Sequence, residues 1–213
     1  VSMYYDSMIA KLICHGATRD VAIARMREAL NAFVIRGVAS NIAFQAALMQ
    51  HPRFVSGDFN TGFIAEAFPK GFHAATAVHE DPLLLAAVAA LARRRYIARV
   101  VQISGQLRGH QRNVGHDWVV MMGGQRFALR LTPIEGGCSI AYEGETHELR
   151  SDWKLGELIF RGRWNGRDVC LQIQRVGWRY RVSHWGTQAE VTVLTARAAH
   201  LLSLMPDKPK PDL

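Results

Sequence analysis

The side chains of this chain that could do chemistry are scattered and form no familiar catalytic motif. The nine histidines are irregularly spaced, and no two have the i, i+4 separation that places a zinc-binding pair on one helix face. The sequence contains no Gly-x-Ser-x-Gly motif, no glycine-rich phosphate loop and no paired carboxylates suited to holding magnesium with a nucleotide. We therefore predict that the chain itself has no metal site and binds no cofactor.

Asp6 is the one candidate for a catalytic role. It interrupts the run Met3–His15, which is otherwise rich in apolar residues and predicts a mostly buried strand ending at Gly16. A buried carboxylate needs a partner, because an unpaired charge is costly to remove from water. A structural salt bridge explains Asp6 more simply than catalysis does, but both interpretations remain open.

A second group of polar side chains lies between Arg99 and Val114. This stretch alternates basic and small residues around Gly105 and Gly109, which predicts an exposed connection. Long connections in compact domains are usually functional or disordered. We predict a partner-binding surface made by Arg99, Gln102, Gln106, Leu107, Arg108, His110 and Arg112.

Composition limits the kinds of protein that could carry these residues. The 213 residues are 49% hydrophobic, which is enough for one large core or two modest ones. The net charge of +8 suggests an acidic partner or nucleic acid. The three cysteines are scattered and predict reduced thiols, as in the cytoplasm. The sequence opens Val1-Ser2-Met3 with neither a charged leader nor a secretory apolar segment, and we expect the gene product to begin upstream.

The element that must position the basic connection is an apolar helix before it. Asp81 is suited to cap the helix and Pro82 to its first position, and every residue from Leu83 to Ala92 is apolar. A helix without a polar face must be enclosed, and the run is too short to span a membrane. We predict a helix from Pro82 to about Ala98 that emerges into water at Arg93–Arg95.

The residues after His116 predict the enclosure. Their apolar positions alternate with period two in about eight short runs, and Asn165-Gly166 is a strong hairpin signal. A sheet that curls around the helix buries both apolar surfaces and closes its own edges. The fold class is therefore α+β: an antiparallel β-barrel of about eight strands around a central long α-helix, preceded by a small α/β segment. A terminal helix follows over Thr195–Met205, with its apolar side formed by Ala198, Leu201, Leu202 and Met205.

The first third of the chain resembles the C-terminal end of biotin carboxylase domains. The resemblance rests on Tyr4–Ile13, Arg19–Met26 and Phe54–Phe63, around helices that Thr18 and either Ser40 or Asn41 can cap. In that family the ATP-grasp machinery lies upstream of such a segment, and the sequence shows none of it. The resemblance also implies that Asp6 lies near the biotin pocket and the dimer surface.

The second half is similar to the inter-subunit domain of propionyl-CoA carboxylase α subunits, called the biotin transfer or BT domain. The similar stretches are Gly115–Val120, Arg150–Trp153, and Thr195–Met205 with the proline-rich spacer after it. The resemblance implies a barrel around a long helix, with a hook after the helix that contacts the carboxyltransferase β subunit. A biotinyl domain with Ala-Met-Lys-Met follows in that family, and this sequence lacks the tetrapeptide.

These resemblances imply a non-catalytic part of a biotin-dependent carboxylase, a ligase that uses biotin, ATP and Mg²⁺ or Mn²⁺. The partners would be the β subunit and the remaining biotin carboxylase and biotinyl domains, with no nucleic acid or membrane. We expect a cytoplasmic protein, or one of the mitochondrial matrix in a eukaryote. The expected boundaries are 1–68 for the carboxylase end, 69–79 for a linker, 80–205 for the BT domain and 206–213 for a second linker. The alternative is a basic β-barrel that binds single-stranded nucleic acid.

Overall fold

The computed structural model describes residues 8–105, 109 and 113–206. A helical segment comes first, formed by α1 (Arg19–Ala32), α2 (Ile42–Leu48), α3 (Pro52–Ser56) and α4 (Phe63–Ala67). A long helix, α5 (Pro82–Val101), then leads to the strands β1 (Asp117–Met122), β2 (Gln125–Ile134), β3 (Gly137–Tyr142), β4 (Glu145–Arg150), β5 (Ile159–Trp164), β6 (Arg167–Val176), β7 (Arg179–His184) and β8 (Thr187–Leu194), followed by α6 (Ala196–Ser203).

Helix α5 is the axis of the larger part. Every residue from Leu84 to Ala92 is buried, as the absence of a polar face requires. The carboxylate of Asp81 caps the helix by accepting a hydrogen bond from the Leu84 amide at 3.0 Å. At ~1.5 Å per residue the helix is about 30 Å long, enough to pass through a small barrel. It continues to Val101, so the predicted exposed connection begins a few residues later than Arg99.

The eight strands form a closed antiparallel barrel in sequence order, and β1 pairs with β8 to close it. Alternate residues of each strand face the helix: on β2, Phe127, Leu129 and Leu131 are buried while their neighbours are exposed. The predicted barrel around a central helix is therefore confirmed. Asn165-Gly166 adopts the positive φ values of a two-residue hairpin turn, 49° and 81°.

One side of the barrel has a short seam. Strands β4 and β5 pair only through Leu149 with Trp164 and Arg150 with Arg163. Asn165 extends the seam, because its amide donates to the Glu148 carbonyl at 2.9 Å and its side-chain oxygen accepts from the Glu148 amide at 2.8 Å. The hairpin turn thus also holds two strands together.

Asp81 ties the start of the helix to the barrel. Its second carboxylate oxygen accepts a hydrogen bond from the indole N–H of the buried Trp164 at 2.8 Å. We expect Asp81→Ala to cost about 2–4 kcal/mol in unfolding free energy, because it removes a cap and leaves a buried donor unpaired. Thr195→Ala is the matched control, since Thr195 caps only the exposed start of α6. Its expected cost in urea unfolding is about 1 kcal/mol, and equal costs for the two variants would contradict the second role of Asp81.

Two local predictions are wrong. The described part of the predicted first strand, Met8–His15, forms no strand, and Met8, Ile9 and Ile13 are exposed. On α6 the buried residue is Ala199, whereas the predicted apolar-face residues Leu201 and Met205 are exposed. In both places an apolar pattern indicated burial, but no described element covers these side chains.

Candidate functional site

The carboxyl end of α5 carries several arginines that are more enclosed than the sequence predicted. Arg95 does not emerge into water: its guanidinium donates hydrogen bonds to the carbonyl oxygen of Ser151 at 2.5 Å and to that of Trp153. Burial lowers the pKa of Arg95, against the weaker influence of nearby groups such as Asp152. Arg95 therefore fastens the barrel wall after β4 to the helix.

Two further arginines, Arg93 and Arg175, lie against the ring of Tyr96. The guanidinium carbon of Arg175 lies 4.1 Å from the centre of the Tyr96 ring, and that of Arg93 lies 5.6 Å from it. The buried Nε atoms of Arg93 and Arg94 have no hydrogen-bond partner among the described residues. We call Arg93, Arg94, Arg95, Arg99 and Arg175 the basic collar.

Within the described ranges, no ion pair joins the basic collar to an acidic side chain. The ion pairs there join other residues and leave the collar's guanidinium groups more than 4.0 Å from any carboxylate. Burial raises the pKa of the nearby Cys138 thiol, with Arg94 and Arg95 acting in the opposite direction. The thiol is therefore protonated at neutral pH and adds no negative charge. The collar presents positive charge that an acidic partner surface could complement.

Two of the predicted partner-binding residues can be placed at this end. Arg99 is exposed in the last turn of α5, and the exposed Gln102 ends the helix by donating its backbone amide to the carbonyls of Arg99 and Val100. The remaining predicted site residues lie outside the described ranges: Asp6, Gln106, Leu107, Arg108, His110 and Arg112.

A second site, which sequence reasoning missed, joins the barrel to the helical segment. At the turn between β7 and β8, Trp185 has a positive φ of 48°. Its amide donates to the side-chain oxygen of Asn31 at 3.0 Å, and its carbonyl accepts from Gln50 at 2.5 Å. The guanidinium carbon of Arg27 lies 4.5 Å from the centre of its ring. Contacts from α1 and from Gln50, just after α2, thus support a tryptophan in a conformation that favours glycine.

Further bonds extend this contact. The side chain of Gln172 on β6 donates to the carbonyls of Asn31 and Phe33 at the end of α1, at 3.1 and 3.2 Å. The amide of Gln188 donates to the Ala74 carbonyl at 2.9 Å, which ties part of the predicted linker to β8. We call α1, α2 and residue 74, with the barrel residues they contact, the junction. The sequence signal that could have revealed this site was Trp185-Gly186, because a bulky residue at a two-residue turn needs support from other parts of the chain.

A pair of buried histidines lies beside Trp185. Nε2 of His79 is 2.7 Å from Nδ1 of His184, and Nδ1 of His79 accepts a hydrogen bond from the Asp81 amide at 2.9 Å. His79 must therefore carry its proton on Nε2 and donate it to His184, whose own proton is on Nε2. Burial lowers the pKa of both histidines, and for His184 burial, His79 and Arg27 together lower it to about 3. Both rings are neutral at neutral pH.

The rest of the described surface offers little other chemistry. Among residues 8–105, 109 and 113–206, no group of three His, Cys, Asp or Glu side chains could hold a metal ion. No described helix is long and apolar enough to cross a membrane. Of the five tryptophans, Trp118, Trp153 and Trp164 are buried and Trp185 is in the junction, so Trp178 alone is largely exposed. A row of exposed rings on which bases could stack is absent from the described barrel.

Comparison with known proteins identifies both parts. The family model of the propionyl-coenzyme A carboxylase BT domain matches residues 85–208, and that of the biotin carboxylase C-terminal domain matches residues 1–66. The propionyl-CoA carboxylase alpha chain of Ruegeria pomeroyi is 37% identical over all 213 residues, which correspond to 31% of that protein. The human mitochondrial propionyl-CoA carboxylase alpha chain is 28% identical over 98% of this chain and 29% of its own length. Biotin carboxylase 1 of Bacillus subtilis is 59% identical over 61 residues, 29% of this chain and 14% of its own length.

The two matched models place the chain in the class of proteins that combine a biotin carboxylase C-terminal domain with a BT domain. More narrowly, the chain belongs to the family of the propionyl-coenzyme A carboxylase BT domain, whose model covers more than half of its length. It spans about a third of the length of the propionyl-CoA carboxylase alpha chains that it matches.

Proposed function

We propose that this chain is part of the α subunit of a biotin-dependent propionyl-CoA carboxylase. That enzyme would carboxylate biotin with ATP and then transfer the carboxyl group to propionyl-CoA, giving methylmalonyl-CoA. The observation that carries the proposal is the 37% identity to a propionyl-CoA carboxylase alpha chain along the whole chain. The full enzyme would require biotin, ATP and Mg²⁺ or Mn²⁺, and it would act in the cytoplasm or, in a eukaryote, in the mitochondrial matrix.

Within that enzyme, the barrel would serve assembly and no bond-making step. It would occupy 80–205, between a carboxylase part at 1–68 with its linker at 69–79 and a second linker at 206–213. The basic collar and the connection after Gln102 would dock on the carboxyltransferase β subunit. The absence of ion pairs to the collar among the described residues supports an acidic docking surface on that partner.

Binding to a propionyl-CoA carboxylase β subunit tests this proposal. We expect the purified chain to shift the elution of the β subunit from a sizing column at micromolar concentration. Reversing the charge of Arg99 and Arg175, both exposed, should weaken binding at least tenfold, because each substitution turns a complementary charge into a repulsive one. If the wild-type chain does not bind the β subunit at micromolar concentration, this result would count against the proposed function.

Arg126 and Arg197 provide the matched control. Both are exposed arginines without an ion pair among the described residues, and neither belongs to the basic collar. Charge reversal at these two positions changes the net charge by the same amount as the collar variant does. Equal losses of binding in the two double variants would show that overall charge, and not the collar, governs association.

A further inference from the structure

The junction holds the helical segment and the barrel together around one turn. The turn at Trp185-Gly186 enters between α1 and α2, where Asn31 and Gln50 bind both polar groups of the Trp185 backbone. A Cβ atom at Gly186 would lie 2.7 Å from the Ala43 carbonyl oxygen, so α2 lies directly against the turn. Outside this turn, α1 also packs against β6, where the side chain of Gln172 donates to the carbonyls of Asn31 and Phe33.

The histidine pair lies directly beneath this turn. The ring of His184 stacks on that of Trp185, with 4.3 Å between the ring centres, and His79 brings in the segment that precedes α5. One face of the cluster borders a cleft of about 1160 Å³ between α1 and strands β5 and β6, through which water can reach it. The pair is thus enclosed by the junction but adjacent to solvent.

We infer that the Trp185-Gly186 turn is an acid-sensitive latch, which holds the barrel on the helical segment only while His79 and His184 are both neutral. Each acceptor nitrogen of the pair already receives an N–H: Nδ1 of His79 from the Asp81 amide, and Nδ1 of His184 from His79. A proton added to either nitrogen would face another N–H and break that hydrogen bond. The inference concerns contacts within the chain and does not depend on the proposed function.

Burial sets the direction of the effect, and the surrounding charges modify it. Glu80 and Asp81, before α5, favour protonation of His79, whereas Arg27 on α1 opposes protonation of His184. The carboxylate of Asp81 already accepts hydrogen bonds from the Leu84 amide and the Trp164 indole. Glu28 of α1 and, on the barrel side, Arg150, Asp152, Arg161, Arg163, Arg167 and Asp168 line the adjacent cleft. Burial lowers the pKa of His79 more than Glu80 and Asp81 raise it, and burial and Arg27 both lower the pKa of His184.

The pH range follows from proton linkage. The pKa of each histidine is lower in the closed latch than the ordinary 6.5, to about 3 for His184, so the open state binds more protons below pH 6.5. Closure is therefore complete above about pH 6.5 and weakens as the pH falls toward 3. The closed-to-open ratio should fall up to about tenfold per pH unit for each histidine.

Hydrogen exchange of the whole 213-residue chain between pH 7.5 and 4.5 tests the latch. After correction for the intrinsic pH dependence of exchange, α1 and α2 should lose protection below pH 6.5 while the barrel strands β1 to β4 keep theirs. His184→Asn should reduce this pH dependence at least tenfold, because its side-chain oxygen can still accept from His79 but does not titrate. Unchanged protection of α1 and α2 down to pH 4.5, or loss of the barrel at the same pH, would overturn the latch.

Two matched controls and one direct measurement complete the test. His200→Asn changes an exposed histidine on α6 and should leave the pH dependence intact. Trp185→Ala should leave α1 and α2 open at every pH, whereas Trp178→Ala, at the neighbouring exposed turn, should not. If α1 and α2 are unprotected in the His184→Asn variant even at pH 7.5, ring ¹⁵N spectra of the wild-type chain provide the test instead. A charged ring at either His79 or His184 while α1 and α2 remain protected would overturn the inference.

Discussion

A chain carrying Ala89→Asp is expected to have no folded barrel. Ala89 is 0% exposed, at the middle of the buried part of α5. A carboxylate there would be surrounded by the apolar side chains of the barrel and would have no partner. An unpaired buried charge and a side chain too large for the space should together cost about 5 kcal/mol or more, which is comparable with the stability of a whole domain.

The expected observation is a loss of near-ultraviolet circular dichroism from the enclosed tryptophans and no cooperative urea transition. Ala24→Asp provides the control, because Ala24 is exposed on α1 and the same substitution there should cost well under 1 kcal/mol. An Ala89→Asp chain that unfolds at the same urea concentration as the wild type would mean that α5 is not enclosed.

The second large effect is expected at Gly186. Its φ is +79°, and an added Cβ would lie 2.7 Å from the Ala43 carbonyl oxygen and 2.9 Å from the Ala47 amide. Gly186→Ala therefore strains the turn by about 1–2 kcal/mol and also pushes α2 away from the barrel. Separating α2 removes the hydrogen bond from Gln50, so we expect a total loss of about 3 kcal/mol.

Gly166→Ala isolates the backbone strain. Gly166 occupies the same position of another two-residue turn with a φ of +81°, and an added Cβ would have no neighbour within 4 Å. Urea unfolding should show only the 1–2 kcal/mol strain for this variant. Hydrogen exchange at pH 7.5 should show open α1 and α2 in Gly186→Ala alone. Equal losses of stability and protection in the two variants would show that α2 does not depend on the turn.

The barrel could be predicted from sequence because its determinants are local. The period-two alternation of Phe127, Leu129 and Leu131 sets which face of β2 is buried, and Asn165-Gly166 sets the turn that fixes the register of β5 and β6. The apolar run of α5 must be buried, and the apolar faces of these strands were the only predicted surface large enough to bury it. Short-range patterns thus specified both the parts and their relation.

The junction could not be predicted, because its partners are far apart in sequence. Gln50 and Trp185 are separated by 135 positions, and Asn31 and Trp185 by 154. A buried amide or histidine gives no periodic signal, and its partner is fixed only when the whole fold is formed. The strand predicted over Met3–His15 shows the related error, since the apolar pattern of Met8 to Cys14 indicates a need for burial and not the element that provides it.

The closed order of the strands also constrains how the protein can be made. Helix α5 precedes all eight described strands, while the ladder that completes the enclosure joins β1 to β8, the last of them. The other strand pairs are neighbours in sequence and can form as local hairpins, but this ladder cannot form until β8 has been synthesised. We therefore expect the apolar helix to stay uncovered during translation until β8 has left the ribosome, a period in which exposed apolar surface favours aggregation of the nascent chain.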